Sequence, residues 1–205
     1  MMKRFVLAGV TLVCLAIAAF FVFRTISAQE SAASSRTVSK HAAESLQAKI
    51  DHIHKIDESG DRTHRDIETE VNETELESYV LFELKEKIPA QLDSIHVQLT
   101  PGAVAADTQL TFTSNATGNP MLDALVGGTH NLFVKGRLSG SASQGRFDLD
   151  EVRVDGIPVP KVLIQTLVDK YVKPKYPDVD LRAPFELPWG IRAVDVQTAK
   201  ARIVY

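Results

Sequence analysis

Hydrophobic residues along this chain recur with three different periods. From Phe5 to Phe23 they run without a charge until Arg24. From Lys40 onward they stand three or four apart: Leu46, Ile50, Ile53 and Ile56, with charges between them, up to Gly60. That spacing predicts an amphipathic helix over 41–58, packed on the domain or spacing it from a membrane. Ile67, Thr69 and Val71 then alternate as a short strand. Asn72 or Thr74 caps a second helix, with Glu75 placed three residues after Asn72 for a capping box. Leu76, Tyr79, Val80, Leu84 and Ile88 form its apolar stripe before Pro89. Glu73, Glu77, Lys85 and Lys87 lie opposite, so one face should be buried and one wet.

Beyond Pro89 the period becomes two. Ile95, Val97 and Leu99 alternate, Pro101-Gly102 turns, and Val104 to Phe112 alternate again. Asn119-Pro120 starts a possible short helix that Gly127-Gly128 ends. Strand pattern returns at Leu132, Val134 and Leu138, then at Phe147 and Leu149. The phase slips at Asp150-Glu151, as a β-bulge would make it. The segment EVRVDGIPVPKVLIQTLVDKYV, residues 151–172, begins as a strand, turns at Asp155-Gly156 and continues as an apolar helix after Pro160. Val194, Val196, Ala201 and Ile203 predict a closing hairpin. Strands in runs, with helices segregated from them, predict an α+β domain on an antiparallel sheet.

The leading apolar run changes the picture of where this domain works. At ~1.5 Å per residue it spans roughly 28 Å, close to a bilayer's hydrocarbon thickness. Lys3 and Arg4 before it favour a cytoplasmic N-terminus. A cleaved signal peptide ending near Ile26-Ser27-Ala28 is the competing reading, and both export the rest. Residues 1–28 are thus the anchor or signal, 29–64 a linker and amphipathic helix, and 65–205 the main domain. The location expected is the cytoplasmic (inner) membrane, single-pass, with the domain outside. Cys14, the one cysteine, lies within the apolar run, so the exported part has neither a disulfide nor a thiol nucleophile. The formal net charge of −3 includes three cations in or beside the leader, which leaves the domain acidic and argues against a nucleic-acid partner.

Candidate chemistry is sparse. His52 and His54 stand two apart on a helix and cannot easily share an ion, so no metal is expected. No nucleophile elbow, zinc-protease motif or phosphate loop occurs, so no catalytic residue or cofactor is assigned. Asp148, Asp150, Glu151 and Asp155 make a carboxylate-rich strand, with Asp148 and Asp150 expected on its solvent face. What remains is apolar surface: Ile157, Val159, Val162, Leu163, Leu167, Val168 and Val172 around the last helix. Any one of these suits a core, and together they suit an elongated trough for an acyl chain.

Three segments carry a resemblance: VNETELESYVLFELKEKIP, LDEVRVDGIPVPKVLIQTLVDKY and FELPWGIRAVDVQTAKARIVY. Across Arg65 to Tyr205 the chain resembles the LmeA-like phospholipid-binding proteins, bacterial exported domains related to the tubular lipid-binding (TULIP) group. The resemblance implies a curved antiparallel sheet wrapped around a long helix plus a second helix, with an apolar cavity for phospholipid and no catalytic residues. On that expectation Leu76, Val80, Leu84, Phe112, Val162, Leu163, Leu167 and Trp189 are the candidate groove residues. Lys170, Lys173 and Lys175 are the candidates for headgroup or membrane contact. The function expected is non-catalytic binding or relay of phospholipid or another apolar ligand by a domain held to the membrane through residues 5–23. An envelope scaffold with a filled core, meeting a protein partner through helix 41–58, is the alternative.

Overall fold

The computed structural model describes residues 37–59, 66–88, 90–112, 127–167, 169 and 183–205. Helix α1 (Lys40–Ser59) is followed by strand β1 (Glu68–Asn72) and helix α2 (Glu73–Tyr79). A π turn (Val80–Leu84) and a 3-10 turn (Lys85–Lys87) lead to β2 (Gln91–Thr100) and β3 (Ala103–Phe112). Then come β4 (Gly128–Ser141), β5 (Gln144–Val154), β6 (Ile157–Pro158) and α3 (Lys161–Leu167). The series ends with β7 (Phe185–Glu186), β8 (Ala193–Gln197) and β9 (Lys200–Val204).

All pairings of the described strands are antiparallel, in one sheet of order β1-β9-β8-β4-β3-β2. Strand β5 lies on β4 and carries β6 and β7 on its other edge. Strand β4 pairs with β3 from Gly128 to Arg137 and meets β8 at Gly140 alone. Gly140 is needed there, because a Cβ would stand 3.0 Å from the Val194 backbone nitrogen.

The expected architecture is corrected. The described residues are mostly antiparallel sheet with nine strands, and apart from α1 the helices are short. No long helix runs from 74 to 88 for a sheet to wrap. Among the described residues no helix is long and apolar enough to cross a membrane, and the 5–23 run lies outside them.

Helix α2 passes at Val80 into the π turn with its dihedrals still helical. Its start is as expected: Glu75 N–H donates to Asn72 Oδ1 (2.9 Å), and Asn72 N–H donates to Glu75 Oε2 (3.0 Å), closing the capping box. Its expected wet face is only partly so: Lys85 is exposed, but Glu73 and Glu77 are 5% and 1% exposed. Val97 N–H donates to Glu77 Oε1 (2.7 Å), and Leu99 N–H donates to Glu73 Oε1 (2.6 Å). These are edge groups of β2, the last strand of the sheet. Four helical residues rise ~6 Å and two strand residues ~6.8 Å, so carboxylates at i and i+4 match alternate strand amides. The opposite side of α2 faces α1. Lys49 Nζ meets Glu75 Oε1 at 2.6 Å, Ser45 Oγ donates to the same oxygen (2.7 Å), and Ser39 N–H donates to the fully buried Ser78 (3.2 Å). The wider π turn then re-phases the chain so that Leu84 and Ile88 are buried. Ile88 is extended (φ −89°, ψ 130°), as a residue before proline must be.

Burial raises the Glu75 carboxyl, but the Lys49, Ser45 and Asn72 hydrogen bonds and the Lys49 charge outweigh it, leaving the group below the usual 4.5. Helix α1 belongs to the same body: Ala43, Leu46 and Ile53 are buried. Ile53 joins Leu187, Ile191 and Tyr205 in one apolar cluster.

Several local expectations hold. Lys135 pairs with Glu151 and Gly136 with Leu149, so Asp150 is the extra residue of a bulge in β5. Asp155 (φ 49°) and Gly156 (φ 78°) form the tight turn into β6, and β8 and β9 form the closing hairpin.

Candidate functional site

The largest apolar cluster holds Ile88, Leu92, Leu110, Phe112, Leu132, Val134, Val152, Val154 and Ile164. Three strands supply most of it, and α3 closes one side. The positioning of α3 begins at the β5–β6 turn. Asp155 Oδ1 accepts from Asn131 N–H (2.8 Å), and Asp155 Oδ2 lies 2.8 Å from His130 Nδ1, so β4 pins the turn. Val159 N–H then donates to Val152 O (2.8 Å), and Leu163 and Ile164 N–H donate to Pro160 O at 2.9 and 3.2 Å. His130 Nε2 is buried with no hydrogen-bond partner among the described residues, beside the Phe112 ring.

This anchoring turns α3 so that Ile164 points inward at 2% exposure. Val162 and Leu163 point outward at 71% and 42%. Phe82 and Ile157, on segments adjoining the same cluster, are also exposed.

The candidate groove residues are therefore divided. Phe112 is buried in the largest cluster and Val80 packs against it. Leu76 packs instead against the cluster of Val97, Leu99 and Val196, and Leu84 is buried. Trp189 packs on the cluster of Ile53, Leu187, Ile191 and Tyr205, edge-on to His54 at 5.6 Å. It occupies the left-handed region (φ 54°) in a turn that Ile191 N–H closes on Pro188 O. Val162 and Leu163 face out. The side chain of Leu167, and Lys170, Lys173 and Lys175, lie outside the described residues, as does the possible helix after Asn119. Ile164 was missed because Val162, Leu163 and Ile164 are three apolar residues ~100° apart, and the sequence alone does not choose among them.

A cleft of about 210 Å³ opens beside α3, lined by Arg137, Asp148, Leu149, Asp150, Lys161, Ile164 and Gln165. Asp148 and Asp150 are partly exposed, as expected, but each has a cation. Arg137 Nε lies 3.3 Å from Asp150 and Arg146 Nε 3.1 Å from Asp148. A second, more open hollow of about 520 Å³ lies over the capping box, where Lys49 and Ser45 already engage Glu75. Among the described residues no group of three or more metal-ligating side chains occurs.

Two of the histidines of α1 are in ring and ion-pair contacts. His52 lies edge-on to Tyr205 (6.3 Å), and His54 Nδ1 is 3.6 Å from Glu58. Burial, with the Glu83 and Asp51 charges, raises the Tyr79 hydroxyl, which donates to Gln47 at 3.0 Å.

No family model matches the chain, and no curated protein matches it.

Proposed function

We propose that this is a non-catalytic, extracytoplasmic domain, held at the membrane through residues 5–23, that engages phospholipid or another acyl-bearing ligand at its α3 end. The observation that carries this reading is the pair Val162 and Leu163, exposed on a helix whose neighbouring Ile164 seals the largest apolar cluster. Ile157 and Phe82 are exposed as well, at 40% and 43%. Covering a leucine or valine side chain is worth about 1.5–3 kcal/mol, so a tail laid here gains from contact. A lipid leaving a bilayer gives up a similar gain, so the exchange is nearly balanced and binding is reversible.

The test is exchange of a fluorescent-tailed phospholipid from donor vesicles onto the gently purified full chain. Retention of lipid, cut at least tenfold by Leu163→Glu with an unchanged thermal midpoint, is the expected result. Retention that Val162→Glu and Leu163→Glu leave untouched, or no retention at all, overturns it.

One observation favours a second reading, a protein-interaction module. The described core is divided into three clusters, and the candidate groove residues among the described ones are spread over them. Crosslinking of a partner to the α3 face, without lipid, would select that reading.

A further inference from the structure

The cleft beside α3 has a composition that the apolar reading does not use. Asp148, Leu149 and Asp150 are consecutive, and a regular strand would send them to alternate faces. All three line the cleft, at the bulge where Asp150 is the extra residue. Arg137 reaches it from β4, and Lys161 and Gln165 from α3. Ile164, which closes the largest apolar cluster, also forms part of the cleft wall. A polar mouth thus sits directly on an apolar interior, next to the outward Val162 and Leu163.

Two cations and two carboxylates make the lining electrically balanced. A ligand of one sign finds its own sign repeated there, whereas a ligand carrying both finds a partner for each. Arg137 meets Asp150 through Nε, and a guanidinium carries four further N–H donors that can meet a phosphate with the Lys161 ammonium. Asp150 already meets Arg137 and Asp148 meets Arg146, and the lone pairs these contacts leave can accept from a primary ammonium. A quaternary ammonium has no N–H to give and is held by aromatic faces, and no aromatic residue is among the described lining. The volume of about 210 Å³ is below the ~300–1,000 Å³ of pockets that enclose whole drug-sized ligands, and suits a head group alone.

We propose that this cleft is a subsite for a phosphate joined to a primary ammonium, the phosphoethanolamine head group, its phosphate held by Arg137 and Lys161 and its ammonium by carboxylate oxygens of Asp148 and Asp150. The proposal rests on the phospholipid reading above and names its head-group class.

The experiment uses the full chain and donor vesicles containing phospholipids of identical labelled tails with ethanolamine, choline or glycerol head groups. About a tenfold preference for ethanolamine is expected. Asp148→Asn with Asp150→Asn should erase the preference over choline, and Lys161→Met should weaken retention of all three. Circular dichroism confirms that each variant is folded. Lys161 is exposed at the helix end, so its variant keeps the test valid if the strand variants unfold. Free O-phosphoethanolamine is titrated in parallel. Binding of it alone, lost in the same variants, would support the cleft chemistry but assign it to a soluble ligand. Retention of lipid with no head-group preference, or one these variants leave intact, overturns the cleft and spares the phospholipid reading. Absence of both lipid retention and binding of the free head group overturns both.

Discussion

Helices α2 and α3 are equally short, and they reverse the usual distribution of polar and apolar residues in opposite ways. In α2 the buried residues are Glu73, Glu75, Glu77 and Ser78. In α3 the exposed ones include Val162 and Leu163. The carboxylates of α2 are buried because each finds donors: a strand amide, a lysine or a neighbouring backbone N–H. Burial of a charge is tolerated when it is paired and hydrogen-bonded. The apolar residues of α3 stay outside because a helix of about two turns presents one side to the cluster, and Ile164 takes it. The contrast teaches that α2 belongs to the construction of the fold, whereas α3 has surface left over for something else.

The largest expected effect separates two neighbours on α3. Ile164→Ala should lose about 2–5 kcal/mol in urea unfolding, while Leu163→Ala stays within about 0.5 kcal/mol. Equal losses would mean that Leu163 is core and would remove the surplus surface. Next comes Glu77→Leu, which leaves the Val97 N–H without this acceptor and should cost about 1–3 kcal/mol. Glu77→Gln keeps an oxygen there and should cost less, and a neutral Glu77→Leu would show that the buried carboxylate is dispensable. Asn72→Ala opens the capping box and should cost about 1 kcal/mol, read by the same unfolding curve.

The smallest effect is a pH dependence. A carboxyl held below its usual 4.5 contributes stability that is present above that value and drains away as pH falls through the folded value. Thermal midpoints measured from pH 6 downward should therefore decline less steeply below about 4.5 in Lys49→Met than in the parent chain. Identical slopes would show that Lys49 does not set the Glu75 proton affinity.

Local chemistry was legible in the sequence wherever a few adjacent residues decide the outcome. The Asn72–Glu75 box, the bulge at Asp150, the Asp155-Gly156 turn and the β8–β9 hairpin are of this kind. Burial of Glu73 and Glu77 was not, because their donors lie 26 and 20 residues away on β2. Nothing in the acid spacing announces a strand edge of matching repeat. A continuous apolar stripe from Leu76 to Ile88 suggested one long helix, whereas the α-helical pattern gives way to the π turn at Val80. The candidate groove was read from apolar residues alone, and such residues do not state which of three clusters they join. Phe112 and Val80 came together, Leu76 and Trp189 went elsewhere, and the cleft beside α3 needed Arg137 and Lys161, which are 24 residues apart in sequence but border one space.

The carboxylate contacts along β2 also bear on how this protein avoids self-assembly. An open strand edge is a template for another chain, and Val97 and Leu99 would offer it a pair of apolar side chains with ready donors. Glu73 and Glu77 occupy those donors from within the same chain. Detachment of α2 would uncover β2 before the rest of the sheet is lost, and conditions that loosen the α1–α2 contact should start fibril growth from that edge.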